Sequence, residues 1–577
     1  MRWHPQPEHA SCGVGFVASR TGEASHSLLQ QALTALRCVE HRGAVAADGV
    51  TGDGAGVMTD IPFELIGEPR GAVAVATLFV SSDPSRRRAV LRHFERTFAF
   101  ADLRIRDWRR VPTRPEVLGA QAAATRPDIL QVVIARPDHM HTDAAFNTAL
   151  YLARKKTQSV LTAAGLSRQL SIASVSTTTI VYKALTRSAD LIDFYPDLVD
   201  SAFVTRFALF HRRFSTNTAT SWDRAQPFRL IAHNGEINTI AGNRSWSYSR
   251  EQALGLRRDE LLTHAGTSDS GSLNEQVEAL KYRSSIPHTE DVLAIMMPPA
   301  GQQSDYYAFW GRAMEPWDGP AFVTYSDGHR VGARLDRNGF RPCRWAMTDG
   351  AFYLASEAGL FGLAEADIVR KGTLNAGTGA QVDLDTGEVH FRDPSESREN
   401  YGASFESRLF PLEPAEELPS DHADTNEADA NEADANEADT SEADTEATQT
   451  AKRATFARLA LFGCTRDELD RILMPMIATG KEPIGSMGDT AQPAVFSTTR
   501  RSLYDFFFQN FAQVTNPPLD YLRERMVTDL TTHLGRTPNI FAPKELLPPT
   551  AAFRVDSPVL TPAQVAALAR PGAQRRD

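Results

Sequence analysis

The residue with the clearest potential for covalent chemistry is a cysteine close to the start of the chain. Cys12 opens a short run in which glycine alternates with apolar residues, Cys12-Gly13-Val14-Gly15-Phe16. If the eleven residues before it were removed, Cys12 would carry both a thiol and an α-amine. An α-amine has a pKa of about 7.7–8.0, so it is a base that can take the proton of a thiol near neutral pH. The alternative is a packing residue at the start of a buried strand, which is the commoner role of a single free cysteine.

Further polar motifs lie at the ends of strand-like or helical segments, or open a helix. They are Glu40-His41-Arg42-Gly43-Ala44, His211-Arg212-Arg213-Phe214-Ser215-Thr216, Ala232-His233-Asn234-Gly235-Glu236-Ile237-Asn238 and Ser268-Asp269. Two of them have a purely structural alternative. Asn-Gly after a strand is a strong hairpin signal, and Ser268 or Asp269 would serve as the N-cap of the helix that follows. The glycine-rich stretch 51–56 has neither the dinucleotide-binding spacing nor the P-loop sequence, so it predicts no phosphate site.

Composition places the chain among soluble globular proteins with more than one domain. It has 577 residues, of which 42% are apolar and 23% charged. None of its four cysteines forms a Cys-x-x-Cys pair, which argues against a zinc ribbon or a locally encoded iron–sulfur site and favours a reducing compartment. The N-terminus lacks the apolar core of a signal peptide, and the longest apolar stretch, 72–80, is too short to cross a membrane. We therefore expect a cytoplasmic protein that binds no membrane.

The net charge of −11 comes from one segment. Residues 413–446 hold fourteen acidic side chains and no Lys or Arg, and the rest of the chain is close to neutral, so we expect no nucleic-acid partner. Within this segment a five-residue Asn-Glu-Ala-Asp-Ala repeat contains no large apolar residue. Such a composition buries too little apolar area to offset the entropy of ordering, and it predicts a disordered linker or insertion.

Apolar periodicity predicts mixed α and β structure on either side of that linker. Strands and helices alternate before residue 200, and short strands dominate 317–385. After the linker, Thr465 and Glu468 form a capping-box signature that opens a helix over 466–478. A further helix is predicted over 521–534.

Taken together, these motifs resemble the class II glutamine amidotransferases, which are N-terminal-nucleophile hydrolases. Longer stretches are similar to the large subunit of glutamate synthase: Thr51-Gly-Asp-Gly-Ala-Gly, Trp222-Asp-Arg-Ala-Gln-Pro-Phe-Arg, Asp336-Arg-Asn-Gly-Phe-Arg-Pro, Lys481-Glu-Pro-Ile-Gly-Ser-Met-Gly-Asp and Phe511-Ala-Gln-Val-Thr-Asn-Pro-Pro. The resemblance covers nearly the whole chain except the acidic segment.

The resemblance implies a fold and a domain organisation. The fold would be an α+β, four-layer αββα sandwich of the N-terminal-nucleophile hydrolases, followed by a partial α/β central domain. The divisions would be a propeptide over 1–11, the amidotransferase domain over 12–410, the acidic linker over 411–454 and the partial glutamate synthase central domain over 455–577.

The resemblance also implies the roles of five residues. Cys12 would be the nucleophile that attacks the side-chain amide of glutamine and forms a thioester. Asn234 and Gly235 would stabilise the oxyanion. Arg213 would bind the α-carboxylate of glutamine, and Asp269 its α-ammonium group.

The implied activity is the glutaminase half of a glutamate synthase, with L-glutamine as substrate. Its ammonia would serve the reductive amination of 2-oxoglutarate on an FMN domain that is missing or separate. FMN and an iron–sulfur cluster are implied only for that synthase part, so no cofactor or metal is expected within this chain, and a synthase-domain or small-subunit partner is. Two other hypotheses stay open: a non-catalytic docking or regulatory remnant, and a subunit that acts in trans with a partner bearing the flavin barrel.

Overall fold

The computed structural model describes residues 12–213, 220–253, 255–257, 261–264, 266–286, 288–300 and 305–392, and short stretches between 409 and 568. The chain divides into two compact units, of which one comprises 1–416 with 512–577 and the other 417–511. The predicted propeptide and almost all of the predicted acidic linker lie outside the described residues. The domain limits expected from the sequence stay predictions.

The described part of the larger unit contains many β-strands that are short and largely buried. In chain order they are β1 Gly13–Ser19, β2 Ala55–Asp60, β3 Val73–Val80, β4 Ile105–Arg110, β5 Asp128–Ala135, β6 Leu170–Ser176, β7 Thr179–Ala184, β8 Phe207–Arg212, β9 Ile231–Gly235, β10 Ala321–Ser326, β11 Arg330–Leu335, β12 Arg344–Met347, β13 Ala351–Ala355, β14 Arg370–Thr373, β15 Gly379–Asp383 and β16 Val389–Arg392.

The helices of this unit fall between the strands, and several have a side-chain N-cap. In chain order they are α1 His26–Cys38, α2 Phe63–Ile66, α3 Pro84–Phe100, α4 Ala120–Ala124, α5 Asp143–Ala163, α6 Leu191–Phe194, α7 Ile240–Ala253, α8 Asp269–Arg283, α9 Thr289–Met296 and α10 Asp305–Ala313. Ser25 caps α1, Asp83 caps α3 and Thr142 caps α5, each by accepting a hydrogen bond from a backbone N–H of the first turn. None of the helices in the described ranges is long and apolar enough to cross a membrane.

Two antiparallel sheets face each other. One has seven strands in the order β14-β12-β13-β1-β8-β2-β7, and the other has five in the order β16-β15-β11-β10-β9. Phe16 and Leu209 of the first sheet share a buried apolar cluster with Phe322 and Val331 of the second. The space between the sheets is therefore an apolar core, as expected for sheets packed face to face.

Helices cover the outer faces of both sheets. Leu29 and Leu33 of α1 pack with Phe210 in the cluster on the outside of the seven-stranded sheet. Leu273 and Val277 of α8 belong to the cluster that also holds strands β9 and β10 of the five-stranded sheet. The order helix, sheet, sheet, helix confirms the αββα sandwich predicted from the resemblance.

A third sheet departs from the simple sandwich. Strands β3 to β6 form a separate antiparallel sheet in the order β4-β5-β3-β6, and α3 and α5 pack on one face of it through Phe94, Phe98 and Phe146. Its other face contributes Val75 and Phe79 to the cluster that contains α1. The alternating segments before residue 200 thus include an additional α/β layer. Periodicity could not reveal this, because it does not encode which strands pair.

The described stretches after residue 392 are short. In the larger unit, β17 Leu409–Pro411, β18 Thr532–Gly535 and β19 Ala552–Val555 form a small sheet, and α13 spans Pro562–Leu568. The helix predicted over 521–534 is wrong at its end, because β18 pairs there with β19; residues 521–529 lie outside the described ranges.

In the other unit, a helical segment runs through α11 Arg466–Glu468, a π-helical turn Leu469–Leu473 and α12 Met474–Thr479. The predicted capping box is present. The side chain of Thr465 accepts from the backbone N–H of Glu468, and the side chain of Glu468 accepts from the backbone N–H of Thr465. The helix predicted over 466–478 is therefore confirmed.

Candidate active site

Cys12 lies at the start of β1, where the two sheets of the sandwich come together. Only 8% of its surface is exposed. Its backbone N–H donates to Oδ1 of Asn234 over 3.2 Å, and its carbonyl accepts from Nδ2 of the same side chain over 2.8 Å. The first sheet supplies the cysteine and the second sheet supplies the amide that holds it.

Two glycines allow the strand after Cys12 to lie against its neighbours. A Cβ at Gly13 would lie 2.4 Å from Cβ of Val39, just beyond α1, and a Cβ at Gly15 would lie 2.6 Å from the carbonyl oxygen of Leu354 on β13. Side chains at either position would push β1 away from the helix or from the adjacent strand. The alternation of glycine with apolar residues therefore fixes where the thiol sits.

Asn234 and Gly235 form the end of β9 and not a hairpin turn. Strand β9 pairs with β10, so Asn234 lies opposite Phe322, which is far away in the sequence. Gly235 has φ of +143°, and a Cβ there would lie 1.7 Å from the carbonyl oxygen of Pro320. The hairpin alternative is wrong because the Asn-Gly pair serves a close approach between strands and not a tight turn.

The residue before Asn234, His233, is held by hydrogen bonds to two side chains. The backbone N–H of His233 donates to Oε1 of Gln226 over 2.7 Å, its carbonyl accepts from Nε2 of the same glutamine over 3.3 Å, and its Nδ1 lies 2.8 Å from Oγ of Ser270. Burial lowers the pKa of His233 to about 4, so its ring is neutral at pH 7. These bonds fix β9 next to the N-terminus of α8.

Arg213 follows the last residue of β8 in an unusual backbone conformation. Its φ is +89°, which is costly for a residue other than glycine. Its Nε lies 3.8 Å from Oδ2 of Asp53. Nη1 of Arg213 is buried and has no hydrogen-bond partner among the described residues. A buried guanidinium nitrogen without a partner is suited to receive a carboxylate oxygen.

Arg212 holds the preceding position within the first sheet. Its fully buried guanidinium forms a very short ion pair with Asp53, lies 3.1 Å from Oε1 of Glu40 and donates to the carbonyl of Gly54 over 3.1 Å. A Cβ at Gly43 would lie 1.8 Å from the Arg212 guanidinium carbon. The Glu40-to-Ala44 motif therefore encloses Arg212. His41 and Arg42 of the same motif contact Glu357, which lies two residues beyond the end of β13.

Asp269 is the first residue of α8 and not its cap. Ser268 is the N-cap, and its side chain accepts from the backbone N–H of Gly271 over 3.0 Å. The Asp269 carboxylate accepts from the backbone N–H of Ile237 over 3.1 Å and from the hydroxyl of Ser270 over 3.4 Å. The N-cap alternative is thus correct for Ser268. The carboxylate of Asp269 is left to face the loop that follows β9.

The charges of these elements converge on the thiol. Burial raises the pKa of Cys12 to about 11; Arg213 and Arg341 act to lower it, and Asp53 and Asp269 act to raise it further. The five residues singled out from the sequence therefore lie together around the thiol, and their roles stay predictions. Sequence reasoning missed Asp53, Arg341 and Ser270 as members of this site. Asp53 and Arg341 lie in the stretches 51–56 and 336–342. Both stretches are similar in sequence to the glutamate synthase large subunit, but that similarity alone indicated no role for either residue.

Family comparison agrees with this arrangement. The family model described as "Glutamine amidotransferases class-II" matches residues 12–401, so the match begins at Cys12. The chain belongs to the class II glutamine amidotransferases. A second model, the glutamate synthase central domain, matches residues 457–576 of this amidotransferase.

Curated relatives of this amidotransferase are glutamate synthases. It is 36% identical over 97% of its length to ferredoxin-dependent glutamate synthase 2 of Synechocystis sp., covering 36% of that protein. It is 35% identical over 98% of its length to the glutamate synthase [NADPH] large chain of Azospirillum brasilense, covering 37%. It is 36% identical over 93% of its length to the glutamate synthase [NADH] of Saccharomyces cerevisiae, covering 26%. The chain thus spans about a third of the length of the first two relatives and a quarter of the third.

The described part of the amidotransferase shows no cluster of three or more His, Cys, Asp or Glu side chains placed to hold a metal ion. Cys343 is buried, Cys38 is exposed and Cys464 is half-buried. The expectation of no cofactor within this chain stays a prediction.

Proposed function

We propose that this chain hydrolyses L-glutamine to L-glutamate and ammonia through a thioester on Cys12. The observation that carries the proposal is the convergence of four groups on that thiol: the side-chain amide of Asn234, the strand end at Gly235, the unpartnered guanidinium nitrogen of Arg213 and the carboxylate of Asp269. An amide substrate with a zwitterionic amino-acid end requires this set of groups.

The two charged residues would bind the amino-acid end of glutamine. Nη1 of Arg213 would donate to the α-carboxylate, and the carboxylate of Asp269 would accept from the α-ammonium group. The two side chains carry opposite charges and both lie close enough to Cys12 to shift the pKa of its thiol. A glutamine held by both ends of its zwitterion would present its side-chain amide to Cys12.

The chemical step would proceed by attack of the Cys12 sulfur on the δ-carbonyl carbon of glutamine. The carbonyl oxygen would gain the negative charge. Nδ2 of Asn234 has two hydrogens, of which the carbonyl of Cys12 accepts one, so the other can stabilise the oxyanion together with the N–H of Gly235. Collapse of the tetrahedral intermediate would release ammonia once its nitrogen is protonated, and water would then cleave the thioester to glutamate.

The proton of the thiol needs a base, because burial keeps the thiol protonated at neutral pH. While residue 11 is attached, the nitrogen of Cys12 is an amide that donates to Asn234 and cannot act as a base. Cleavage of the bond between Ser11 and Cys12 would convert it into an α-amine next to the sulfur, where it would take the thiol proton and later deliver it to the leaving nitrogen.

We further propose that the ammonia serves a glutamate synthase reaction, the reductive amination of 2-oxoglutarate. The relatives are named as glutamate synthases and are about three times as long as this chain. The FMN and iron–sulfur chemistry would then lie in a synthase part outside this chain, either as a separate partner or as a continuation, in the cytoplasm.

The test is glutaminase activity of the full chain, combined with its intact mass. We expect active protein to have lost residues 1–11 and Cys12→Ala to release no ammonia while its circular dichroism stays unchanged. Cys38→Ala is the matched control, because Cys38 is exposed at the end of α1, and it should keep full activity. Activity in Cys12→Ala, or in protein that retains Met1, would refute the mechanism.

A further inference from the structure

Asp53 lies between the two arginines at the end of β8. Its carboxylate forms a very short ion pair with Arg212 through Oδ1, and its Oδ2 lies 3.8 Å from Nε of Arg213. The side chain of Asp53 is about one-tenth exposed. The Asp53 carboxylate therefore contacts two guanidinium groups, that of Arg212 within the sheet and that of Arg213 at the candidate site.

The Arg212 side of this arrangement is rigid. Glu40 and the carbonyl of Gly54 hold the same guanidinium, and the backbone at Gly43 packs directly on it. The backbone N–H of Asp53 also donates to the carbonyl of Ala44 over 3.1 Å. Asp53 therefore has a fixed position relative to β1 and β8, and so relative to Cys12.

Arg213 has a strained backbone, and its guanidinium is only partly hydrogen-bonded within the described residues. Its positive φ is accompanied by a hydrogen bond of 2.9 Å from its N–H to the carbonyl of Gly54, the residue after Asp53. Asp53 faces Nε, which leaves the opposite edge of the guanidinium, with Nη1, unpartnered among the residues described. The short segment Asp53-Gly54 thus orients both the backbone and the side chain of Arg213.

We propose that Asp53 is a positioning residue, which anchors Arg213 through Nε so that Nη1 is presented to the α-carboxylate of the substrate. The inference rests on the glutaminase function proposed above and adds a residue on which glutamine binding depends. Asp53 does not touch the substrate in this arrangement. It acts through Arg213.

The charge of Asp53 has a second, separable effect. The carboxylate raises the pKa of the Cys12 thiol, in the same direction as Asp269 and against Arg213 and Arg341. Burial raises the pKa of Asp53 itself, and the two neighbouring guanidinium groups act to lower it. With Arg212 and Arg213 still beside the site, removing this charge should make the thiol more acidic, even while the loss of the anchor at Nε weakens substrate binding. A residue with only a structural role would not produce these opposite changes together.

The experiment compares Asp53→Asn with Asp60→Asn in the full chain. Asp60, at the end of β2, is the matched control, because it forms a buried ion pair of 2.7 Å with Arg206 and is not among the groups with the largest effects on the thiol pKa. We expect Asp53→Asn to raise KM for glutamine about tenfold or more, with a much smaller change in kcat. We expect Asp60→Asn to lower stability and leave both constants near those of the wild type.

The second readout does not depend on glutamine. The rate at which iodoacetamide alkylates Cys12, followed by mass spectrometry of its peptide, should reach half its maximum at a lower pH in Asp53→Asn than in the wild type or Asp60→Asn. Asp53→Glu keeps the charge and displaces the carboxylate, so it should raise KM without this pH shift. It also supplies the KM comparison if Asp53→Asn fails to fold.

An unchanged KM in both Asp53 variants would overturn the positioning role, and so would a fall in kcat as large as the rise in KM. A wild-type chain that hydrolyses no glutamine after removal of residues 1–11 would instead refute the proposed function. In that case the alkylation profiles of the same variants still decide whether Asp53 acts on the thiol.

Discussion

The side chain of Asn234 binds both main-chain polar groups of Cys12, accepting from its N–H over 3.2 Å and donating to its carbonyl over 2.8 Å. The two residues lie on different sheets and are held together across the opening of the sandwich. The same amide is the proposed donor to the oxyanion. Asn234 therefore links the position of the nucleophile to the stabilisation of the charge that its attack creates.

Replacing Asn234 by Asp removes the hydrogen-bond donor and adds a negative charge while the size of the side chain stays nearly the same. The carboxylate keeps an acceptor for the N–H of Cys12 but has no hydrogen to donate, and its charge opposes an oxyanion. We expect kcat for glutamine hydrolysis to fall by about 10²–10³, measured as ammonia release at saturating glutamine.

Asn147→Asp is the control for that substitution. Asn147 also bonds a distant residue reciprocally, donating to Oγ1 of Thr177 over 2.8 Å and accepting from its N–H over 3.0 Å, but it lies on α5 beneath the third sheet. Its variant should retain wild-type kcat. Equal losses in the two variants would show that the effect at Asn234 is structural and not electrostatic.

Gly235→Ala tests the close approach at the end of β9. The added methyl would lie 1.7 Å from the carbonyl oxygen of Pro320, at φ of +143°. We expect the free energy of unfolding to fall by more than about 2 kcal/mol and the activity to be lost. Gly242→Ala on α7, where a Cβ meets nothing within 4 Å, should instead stabilise by up to about 1 kcal/mol. Denaturant titration of both variants measures the difference, and a tolerated Gly235→Ala would contradict the packing.

Local signals in the sequence predicted individual elements of the scaffold, whereas similarity to a family's motifs predicted the site residues. The alternation of strands and helices before residue 200 and the helix that the capping box at Thr465 opens follow from periodicity and cap chemistry, which act within a few residues. The site residues were identified because their motifs are similar to those of a known family. Their convergence in space depends on strand pairings between segments that are distant in the sequence. Asn234 lies opposite Phe322, and no short-range pattern contains that partner.

The parts that were missed share a physical cause. Strand β12 and the edge strand β14 are short and partly exposed, so they lack the apolar runs by which buried strands are recognised. Asp53 lies in a turn between glycines, and its importance comes from Arg212 and Arg213, which are distant in sequence. The third sheet has strands of ordinary composition, and only their pairing sets it apart from the sandwich.

Two buried histidines near the site should make stability depend on pH. Burial lowers the pKa of His211 to about 3 and that of His233 to about 4, whereas an unfolded histidine titrates near 6.5. Between these values the unfolded chain binds protons that the folded chain does not, so stability falls as the pH drops below about 6.5. Each histidine should cost about 2 kcal/mol between pH 7 and pH 5.

Comparison of His211→Gln with the wild type checks this prediction. Glutamine keeps a donor for the carbonyl of His233, which Nε2 of His211 approaches to 3.2 Å, and it does not titrate. Denaturant unfolding at pH 7 and pH 5 should show a smaller loss in the variant by about 2 kcal/mol. Equal pH dependence in the two proteins would mean that His211 is protonated in the folded state.

Glu278 on α8 should be among the most sensitive positions outside the site. Its carboxylate accepts from Arg229 over 2.7 and 2.8 Å and from Arg154 on α5 over 3.1 Å, with all three side chains largely buried. It therefore joins the helix that begins at Asp269 to the helix that covers the third sheet. Glu278→Gln leaves two buried guanidinium groups without their anion and should destabilise the protein by about 3–5 kcal/mol.

The matched control for Glu278 is the exposed pair of Glu365 with Lys371, whose side chains are 76% and 60% exposed. Glu365→Gln should change the unfolding midpoint little, because solvent screens exposed pairs. Because α8 carries Asp269 at its first residue, the Glu278 variant should also raise KM for glutamine under conditions where it remains folded. Loss of stability with an unchanged KM would show that Asp269 is held by its own contacts with Ile237 and Ser270, independently of the ion pairs further along the helix.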